Sequence, residues 1–314
     1  MTNVGRVGFA FTPASSAQAV QLIGRAEDAG VESVWMVMSA LAIDTLTLYG
    51  AAAVRTDRIR LGTSIVPAFT RHPLAMATQA MALEELAPQR LRLGIGSAHA
   101  RTMEDVYHLD FRYPLTRLRE YLEILRPVLQ TGEAHFHGEY YSADAKIAHP
   151  TGTPVLISAL RAPAFELAGE LTDGGISWLC PPDYLRRVAK PALARGAERA
   201  DRLTPPLIAH VPVMVADDRA LAYERARELL AYYAAAPFYA RMFADAGHPL
   251  HGGAISDGLL DSLLVVGTPD TIEAALQERL DNGMDEIAVS LLPLADQHAE
   301  EGALLTLLAE LSRR

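Results

Sequence analysis

The chain has 314 residues, of which 50% are hydrophobic and 21% are charged, so it can bury a large core. Its formal net charge of -10 argues against nucleic acid as the main partner, because neutralising phosphates requires a basic face. The single cysteine, Cys180, excludes an intrachain disulfide. The sequence has no signal-like segment and no apolar run of about 20 residues, so we expect a cytoplasmic protein without membrane association.

The first part of the chain alternates short β-rich segments with amphipathic segments of helical period. This alternation predicts strands over 6–11, 33–38, 59–66 and 91–96, and helices over 16–31, 44–56, 73–87 and 115–131. Three helix ends carry clear signals: Gly30 ends the first helix, Asp44 caps the second, and Pro73 stands in the first turn of the third. A long connection, 97–115, separates the fourth strand from its helix.

The alternation continues after a hairpin-like excursion at 133–150. It predicts strands over 154–158, 174–179, 207–216 and 286–292, and helices over 162–173, 182–200, 218–235, 269–283 and 299–312. A second irregular, glycine-rich segment covers 237–262. Strands and helices in such alternation favour a (β/α)8 barrel, whereas an open sheet would show a G-x-G-x-x-G turn that "FAFTPASS" lacks. We therefore predict an α/β protein, a TIM barrel forming one domain over 1–314, with insertions after strands 4 and 7.

The C-terminal strand ends, where a barrel places its site, are poor in acids. No Asp or Glu ends a strand, which argues against two-carboxylate glycoside hydrolysis. His99 and His210 alone do not make a metal cluster, and neither Lys146 nor Lys190 ends a strand to form a Schiff base. We expect no metal. The apolar, aromatic and hydroxyl-bearing rim suits a flat, hydrophobic cofactor that brings its own reactivity.

The turn after the fifth strand, in "PVLISALRAPAFELAG", has two interpretations. The backbone N–H groups of Ala159, Leu160 and Arg161 stand at a helix start and can hold a phosphate there. Alternatively, this is an ordinary strand-to-helix turn with a surface arginine. The residues alone leave both interpretations open.

Four stretches carry a resemblance to a known family. They are "RLGTSIVPAFTRHPLAMATQAMALEELAPQRLRLGIG", "FRYPLTRLREYLEILRPVL", "PVLISALRAPAFELAGELTDGGISWL" and "GTPDTIEAALQERLDNGMDEIAV". In this order they cover nearly the whole chain, which resembles the bacterial luciferase-like monooxygenase superfamily. It is most similar to the branch of deazaflavin (coenzyme F420)-dependent oxidoreductases, which shares its scaffold with FMN-using branches. The forms "IDTLTLYGAA" and "LGIGSAH" resemble the deazaflavin side.

The resemblance implies that the tricyclic ring of F420, or of FMN as the alternative, lies across the strand C-termini. It also implies a non-prolyl cis peptide between Ser64 and Ile65 beneath the ring, and the cofactor phosphate at the turn after the fifth strand. The residues implied to contact the cofactor are Ala10, Met38, Thr63, Ser64, Ile65, Val66, Ser97, Ala98, Ala159, Leu160, Arg161, Gly175 and Ile176.

Proton handling departs from the family pattern at the second strand. Many relatives carry an acidic residue or a histidine at its end, whereas this chain reads "MVMS". We predict His99 as the catalytic group, because an imidazole titrates near neutral pH, with the hydroxyl of Ser39 as a further candidate. The alternative for His99 is a rim histidine that only hydrogen-bonds cofactor or backbone.

Aromatic residues at the strand ends and in the insertions predict a substrate pocket. It is assigned to Phe11, Phe69, Tyr107, Trp178 and Phe238. The nearby Tyr239, Met242 and Phe243 can line it too, or can form a lid or dimer contact; we expect a homodimer. The expected activity is hydride transfer between F420 and an unsaturated small molecule (C=C, C=N or C=O). The alternatives are an FMN-dependent monooxygenase and a non-catalytic, ligand-binding relative.

Overall fold

Parallel strands close into a barrel in the computed structural model, which describes residues 6–38 and 43–313. Closure is complete because the strand at 175–177 pairs with those at 155–158 and 207–215, and the strand at 286–291 pairs with those at 207–215 and 7–11. The eight barrel strands of the described chain are β1 (Val7–Phe11), β2 (Ser33–Met36), β3 (Arg60–Thr63), β5 (Leu91–Gly96), β8 (Val155–Ser158), β9 (Gly175–Ser177), β10 (Leu207–Val215) and β12 (Glu286–Leu291). The predicted (β/α)8 fold is confirmed.

Short strands accompany the barrel at two places. β4 (Val66–Pro67) pairs with β5, so the strand predicted over 59–66 is interrupted between Thr63 and Val66. β11 (Val265–Gly267), which the sequence pattern did not predict, extends the mouth side by pairing with the end of β10.

The hairpin predicted at 133–150 is confirmed as the antiparallel pair β6 (Glu133–His137) and β7 (Ser142–Lys146).

Eight helical segments of the described chain surround the barrel. They are α1 (Ser16–Ala29), α2 (Thr45–Ala53), α3 (Pro73–Leu86), α4 (Pro114–Thr131), α5 (Ala162–Leu171), the composite of α6 (Pro182–Tyr184), a π turn (Leu185–Ala189) and α7 (Lys190–Arg199), then α11 (Pro269–Asp281) and α12 (Gln297–Ser312). The predicted end signals act as expected: Asp44 accepts from Thr47 N, and Gly30 adopts the left-handed φ of 98° that glycine tolerates. None of the helices in the described ranges is long and apolar enough to cross a membrane.

The seventh connection differs from the prediction. The helix predicted over 218–235 is not a barrel helix: α8 (Arg219–Ala234) packs against α9 (Pro237–Asp245), α10 (Asp257–Leu263) and β11, all on the mouth side. The helix that covers the wall between the seventh and eighth strands is α11, which packs on β10, β11 and β12. The segment 237–262, predicted to be irregular, contains α9 and the start of α10. The second insertion is therefore a three-helix unit, not a loop.

The barrel floor is sealed by a buried ion pair. Arg92 Nη1 donates to Glu286 Oε1 at 2.7 Å, and the guanidinium carbon of Arg92 lies 4.6 Å from the Trp35 ring centroid. Above this pair Trp35 fills the barrel axis, and a Cβ on Gly62 would lie 2.3 Å from its ring. The floor is thus closed by packed side chains, so a ligand enters from the mouth, at the C-terminal strand ends.

Candidate active site at the barrel mouth

The end of β3 forms one side of the mouth. The peptide bond between Ser64 and Ile65 is cis, as the resemblance implied. Ile65 packs on the small apolar cluster inside the barrel, and a Cβ on Gly96 would lie 3.2 Å from its side chain and 2.2 Å from Ser158 Oγ. The hydroxyl of Ser64 is buried and has no hydrogen-bond partner. The mouth floor is therefore tightly packed at this edge and keeps one unused polar group.

Aromatic rings enclose His99, and we call His99, Trp178, Tyr232, Tyr233 and Tyr239 the aromatic cage. The imidazole meets Tyr232 edge-on, with ring centroids 5.4 Å apart and an interplanar angle of 89°. Its centroid lies 6.1 Å from those of Tyr233 and Tyr239. Tyr233 in turn lies 5.8 Å from Trp178 and 5.1 Å from Tyr239. The cage joins the ends of β5 and β9 to the helices of the second insertion.

A buried histidine–serine pair lies at the inner side of the cage. His210, on β10, is 6% exposed; its Nδ1 lies 3.2 Å from Ser290 Oγ on β12. The Trp178 ring stands edge-to-face with His210, at a centroid distance of 5.8 Å. His210 Nε2 is buried and has no partner. Because an orphaned polar atom in the interior costs free energy, Nε2 is a position where a bound ligand can supply a hydrogen bond.

Burial keeps His210 and the cage residues His99, Tyr233 and Tyr239 uncharged. It lowers the pKa of His99 and lowers the pKa of His210 to about 4, because removal from water disfavours the imidazolium. For the same reason burial raises the pKa of Tyr233 and of Tyr239. At neutral pH all four side chains are neutral, so the mouth presents hydrogen-bonding groups without net charge.

Two residues beside the cage adopt left-handed backbone. Ala98, directly before His99, has a φ of 59°, and Leu179, directly after Trp178, has a φ of 54°. Residues with a Cβ adopt this region at a cost of about 1–2 kcal/mol. Packing around the cage therefore holds both turns in a conformation that the local sequence does not favour.

The turn predicted to hold a phosphate is partly occupied by protein contacts. Ala159 N–H donates to Ile176 O at 2.8 Å, so this donor of the predicted cradle is engaged within the sheet, which corrects the prediction at this atom. Arg161 precedes α5, and its guanidinium lies 3.5 Å from the carboxylate of Asp245 at the end of α9. Arg161 Nε is buried and has no partner. An anion at this turn would therefore meet a cation that already faces a carboxylate.

The remaining implied cofactor contacts lie at different depths. Ala10 is inside the barrel, Ser97 and Ala98 are half-buried beyond β5, and Met38 Sδ lies 3.8 Å from Arg71 Nη1. Gly175 and Ile176 are buried in β9, and the hydroxyl of Thr63, the last residue of β3, donates to Gly94 O at 2.6 Å. Val66 is fully buried in its pairing with β5, and Leu160 O accepts from Tyr184 Oη at 3.2 Å.

The predicted substrate-pocket residues separate into two groups. Trp178 is in the aromatic cage, and Tyr107 is half-buried in the first insertion. Phe11 instead stacks on Phe9 on the outer side of β1, and Phe69 is buried between Phe111 and the guanidinium of Arg117.

Phe238 also differs from its predicted place in the pocket. Its side chain is 53% exposed, whereas the next residue, Tyr239, is buried in the cage. Neighbouring residues of α9 point in different directions, so only one of the two rings can face His99. The other predicted catalytic residue, Ser39, lies outside the described residues.

Comparison with known proteins assigns the family. The model of the luciferase-like monooxygenase family matches residues 6–286. The chain belongs to the luciferase-like monooxygenase family. It is 28% identical over 284 residues to the 5,10-methylenetetrahydromethanopterin reductase of Methanolobus tindarius, covering 83% of this chain and 86% of that protein.

Two solved structures share the fold of this family member. The coenzyme F420-dependent tetrahydromethanopterin reductase from Methanopyrus kandleri matches with a TM-score of 0.78 and 22% identity, covering 97% of both chains. The oxygenating constituent of 3,6-diketocamphane monooxygenase of Pseudomonas putida, in complex with FMN, matches with a TM-score of 0.72 and 19% identity, covering 98% of this chain and 97% of that one.

The sequence pattern of this luciferase-like barrel does not identify several residues at the mouth. It gives His210 only as a strand-end residue and Tyr239 only as one of several aromatic residues in an insertion, and it predicts Tyr232 and Tyr233 in a barrel helix. Their signal was the "AYYAA" ending of α8, which becomes informative once α8 is assigned to the mouth. Asp245 carried no sequence signal, because its role comes from its distance to Arg161.

The neutral burial of His210 predicts a specific pH dependence of stability. The pKa of His210 in the folded state is about 4, below the ordinary value of about 6.5. Between these two pH values the unfolded state therefore binds more protons than the folded state, so the free energy of unfolding decreases as the pH is lowered. Between pH 7 and pH 5 the wild type should lose about 2 kcal/mol more of its unfolding free energy than His210→Gln.

Urea unfolding at the two pH values measures this difference. His210→Asn serves as a second variant, because packing losses at this site are independent of pH and differ between the two replacements. Equal losses in the wild type and both variants would show that folding does not lower the pKa of His210.

Proposed function

We propose that this protein is an oxidoreductase that binds coenzyme F420 at the barrel mouth and uses it to transfer a hydride to an unsaturated small molecule (C=C, C=N or C=O) or, in the reverse direction, from the reduced form of that molecule. Its family membership and the names of the matching reductases support an F420-dependent activity. The observation that carries the proposal is the chemistry of the mouth. A neutral aromatic cage there adjoins two buried polar atoms without partners, Ser64 Oγ and His210 Nε2.

These groups fit a deazaflavin ring. A flat aromatic ring with hydrogen-bonding edges can bury its faces against apolar side chains while its edges supply partners for the two orphaned atoms. Bound F420 supplies hydride donation or acceptance, which needs neither a metal nor a pair of carboxylates. In this proposal Ser64, Ile65 and His210 hold the ring, and Arg161 holds the phosphate of the tail.

The protein's own contribution is to orient, to exclude water and to handle a proton. The cage tyrosines cover part of the half-buried His99 imidazole, which limits access of water to the reacting face. Because burial lowers the His99 pKa, its neutral form accepts a proton when an alcohol-type substrate is oxidised, and its protonated form donates readily in reduction. His210 orients the bound ring and, held neutral, adds no competing charge.

A monooxygenase using FMN is the second candidate, because the Pseudomonas putida neighbour shares the fold and contains FMN. The mouth would hold the FMN ring through the same atoms. The two candidate functions are therefore distinguished by which cofactor binds more tightly and by whether the bound cofactor reacts with oxygen. The predicted homodimer also remains a prediction.

Fluorescence titration tests the cofactor directly. We expect the protein to bind F420 with micromolar affinity and to bind FMN at least ~10-fold more weakly, because the two ligands differ in their tails and ring edges. His210→Gln should weaken F420 binding by about 5-fold, the usual effect of one buried hydrogen bond. Tight FMN binding without F420 binding would reject the assignment and favour the monooxygenase.

Replacement of His99 tests the proton-transfer role. With an acceptor that oxidises reduced F420, His99→Gln should lower kcat by about 100-fold, the range for loss of a general acid or base. The Kd for F420 should stay within a few-fold of the wild type. Tyr232→Phe, which keeps the ring against His99, is the matched control; an unchanged kcat in His99→Gln would make His99 a packing residue.

Replacement of Asp245 tests the tail site. A carboxylate 3.5 Å from Arg161 disfavours a phosphate at the same guanidinium, so Asp245→Asn should tighten F420 binding by about 3-fold at low salt. Arg161→Gln should weaken it. Asp257→Asn, on the same insertion but paired with Arg227, is the control. Weaker F420 binding in Asp245→Asn would mean that the ion pair itself builds the site.

A further inference from the structure

The outer wall of the barrel contains a cavity separate from the mouth. It has a volume of about 410 Å³ and lies between the helical segment 182–199 and α11, with side chains of β10 and β11 at its base. Its apolar base includes Leu207, Ala209 and Val265. None of its described lining residues belongs to the aromatic cage or to the turn at Arg161, so we treat it as a distinct feature, the wall groove.

The wall groove is lined by charged side chains of both signs. Its lining has four cations, Arg186, Lys190, Arg219 and Arg279, and three acids, Asp183, Asp261 and Glu278. Asp285, which pairs with Lys190, balances the fourth cation, so the cations differ in whether each has a carboxylate partner.

Most of these cations are neutralised by neighbours. Arg186 pairs with Asp183 at 2.8 Å, and Lys190 pairs with Asp285 at 2.8 Å. Arg219 binds Asp261, whose carboxylate also accepts from Tyr223 Oη.

Arg279 differs from these cations. Within residues 6–38 and 43–313 no carboxylate lies within ion-pair distance of its guanidinium. Its hydrogen bond, from Nη2 to Ser262 O, is at the limiting distance of 3.5 Å, although a guanidinium offers five donors. Glu278, its sequence neighbour on α11, also lines the groove, and its charge opposes part of the effect of burial on the Arg279 pKa, but the two side chains form no ion pair. Burial lowers the pKa of Arg279 to about 10, consistent with a cation held out of water.

We propose that the wall groove binds a small organic anion, whose carboxylate or phosphate pairs with Arg279 and whose apolar part lies on the base formed by β10 and β11. The planar guanidinium can bind either oxyanion through two parallel hydrogen bonds. The apolar base favours a ligand with a hydrocarbon or aromatic body over a fully hydrated ion. The site is independent of the mouth and of the proposed function there.

Calorimetric titration with sodium benzoate and, separately, with inorganic phosphate tests the proposal, with sodium chloride at matched ionic strength as background. Saturable binding of either anion that is at least ~10-fold weaker in Arg279→Met supports it, since a charge-assisted pair is lost. Arg225→Met, on exposed α8 and paired with Glu228, should bind like the wild type. Absence of binding by both anions, or equal binding by Arg279→Met, would overturn it.

A second readout does not depend on the probe. Replacing a cation that has no carboxylate partner should raise the melting temperature of the ligand-free protein, because the free-energy cost of removing that charge from water disappears. We expect Arg279→Met to be more thermostable than the wild type and to bind F420 unchanged. A lower melting temperature would show that Arg279 is a structural residue and would reject the site.

Discussion

Trp35 sets the geometry on which the rest of the barrel depends. Its ring lies across the axis, where the missing side chain of Gly62 leaves the space it occupies. Arg92 packs on one face of the ring and pairs with Glu286 across the floor. Because this layer is filled, the interior is a packed core rather than a pore. Inside the barrel a ligand can then bind only above this layer, where Ile65, His210 and Ser290 line the next level.

The seventh connection decides the chemistry above that floor. Its helices return over the mouth instead of along the wall, which brings Tyr232, Tyr233 and Tyr239 against His99. The same unit reaches the turn after the fifth strand through Asp245 and Arg161. One inserted unit therefore contacts both the region proposed for the ring and the region proposed for the phosphate. Both contacts involve α9, through Tyr239 at one region and Asp245 at the other, so a ligand that moves α9 at one region would change the packing at the other.

The architecture could be predicted from periodicity, whereas the site depended on contacts between distant segments. Helical spacing in "RALAYERARELLAYYA" identifies a helix but not the direction in which it leaves the barrel, so α8 was placed on the wall. The hydrogen bond from Ala159 N–H follows from the register of β8 and β9, which the sequence does not display. Phe238 and Tyr239 are adjacent aromatics, and only packing decides which of them faces inward. The cis bond at Ser64 was reached through resemblance, since no local pattern indicates it.

The neutrality of the mouth is an argument about mechanism. A charged group beside a hydride acceptor would stabilise one redox state of the ring over the other, and a buried charge without a partner would cost several kcal/mol. Here His99 and His210 are held neutral by burial, and the cations Arg71 and Arg161 near the mouth are each paired with a carboxylate, Asp44 and Asp245. Because a site without charge favours neither redox state of a bound ring, the cofactor and the substrate would set the direction of hydride transfer. In the proposed function the protein would select only the shape of the substrate and the position of one proton, for which a single imidazole among aromatic rings is sufficient.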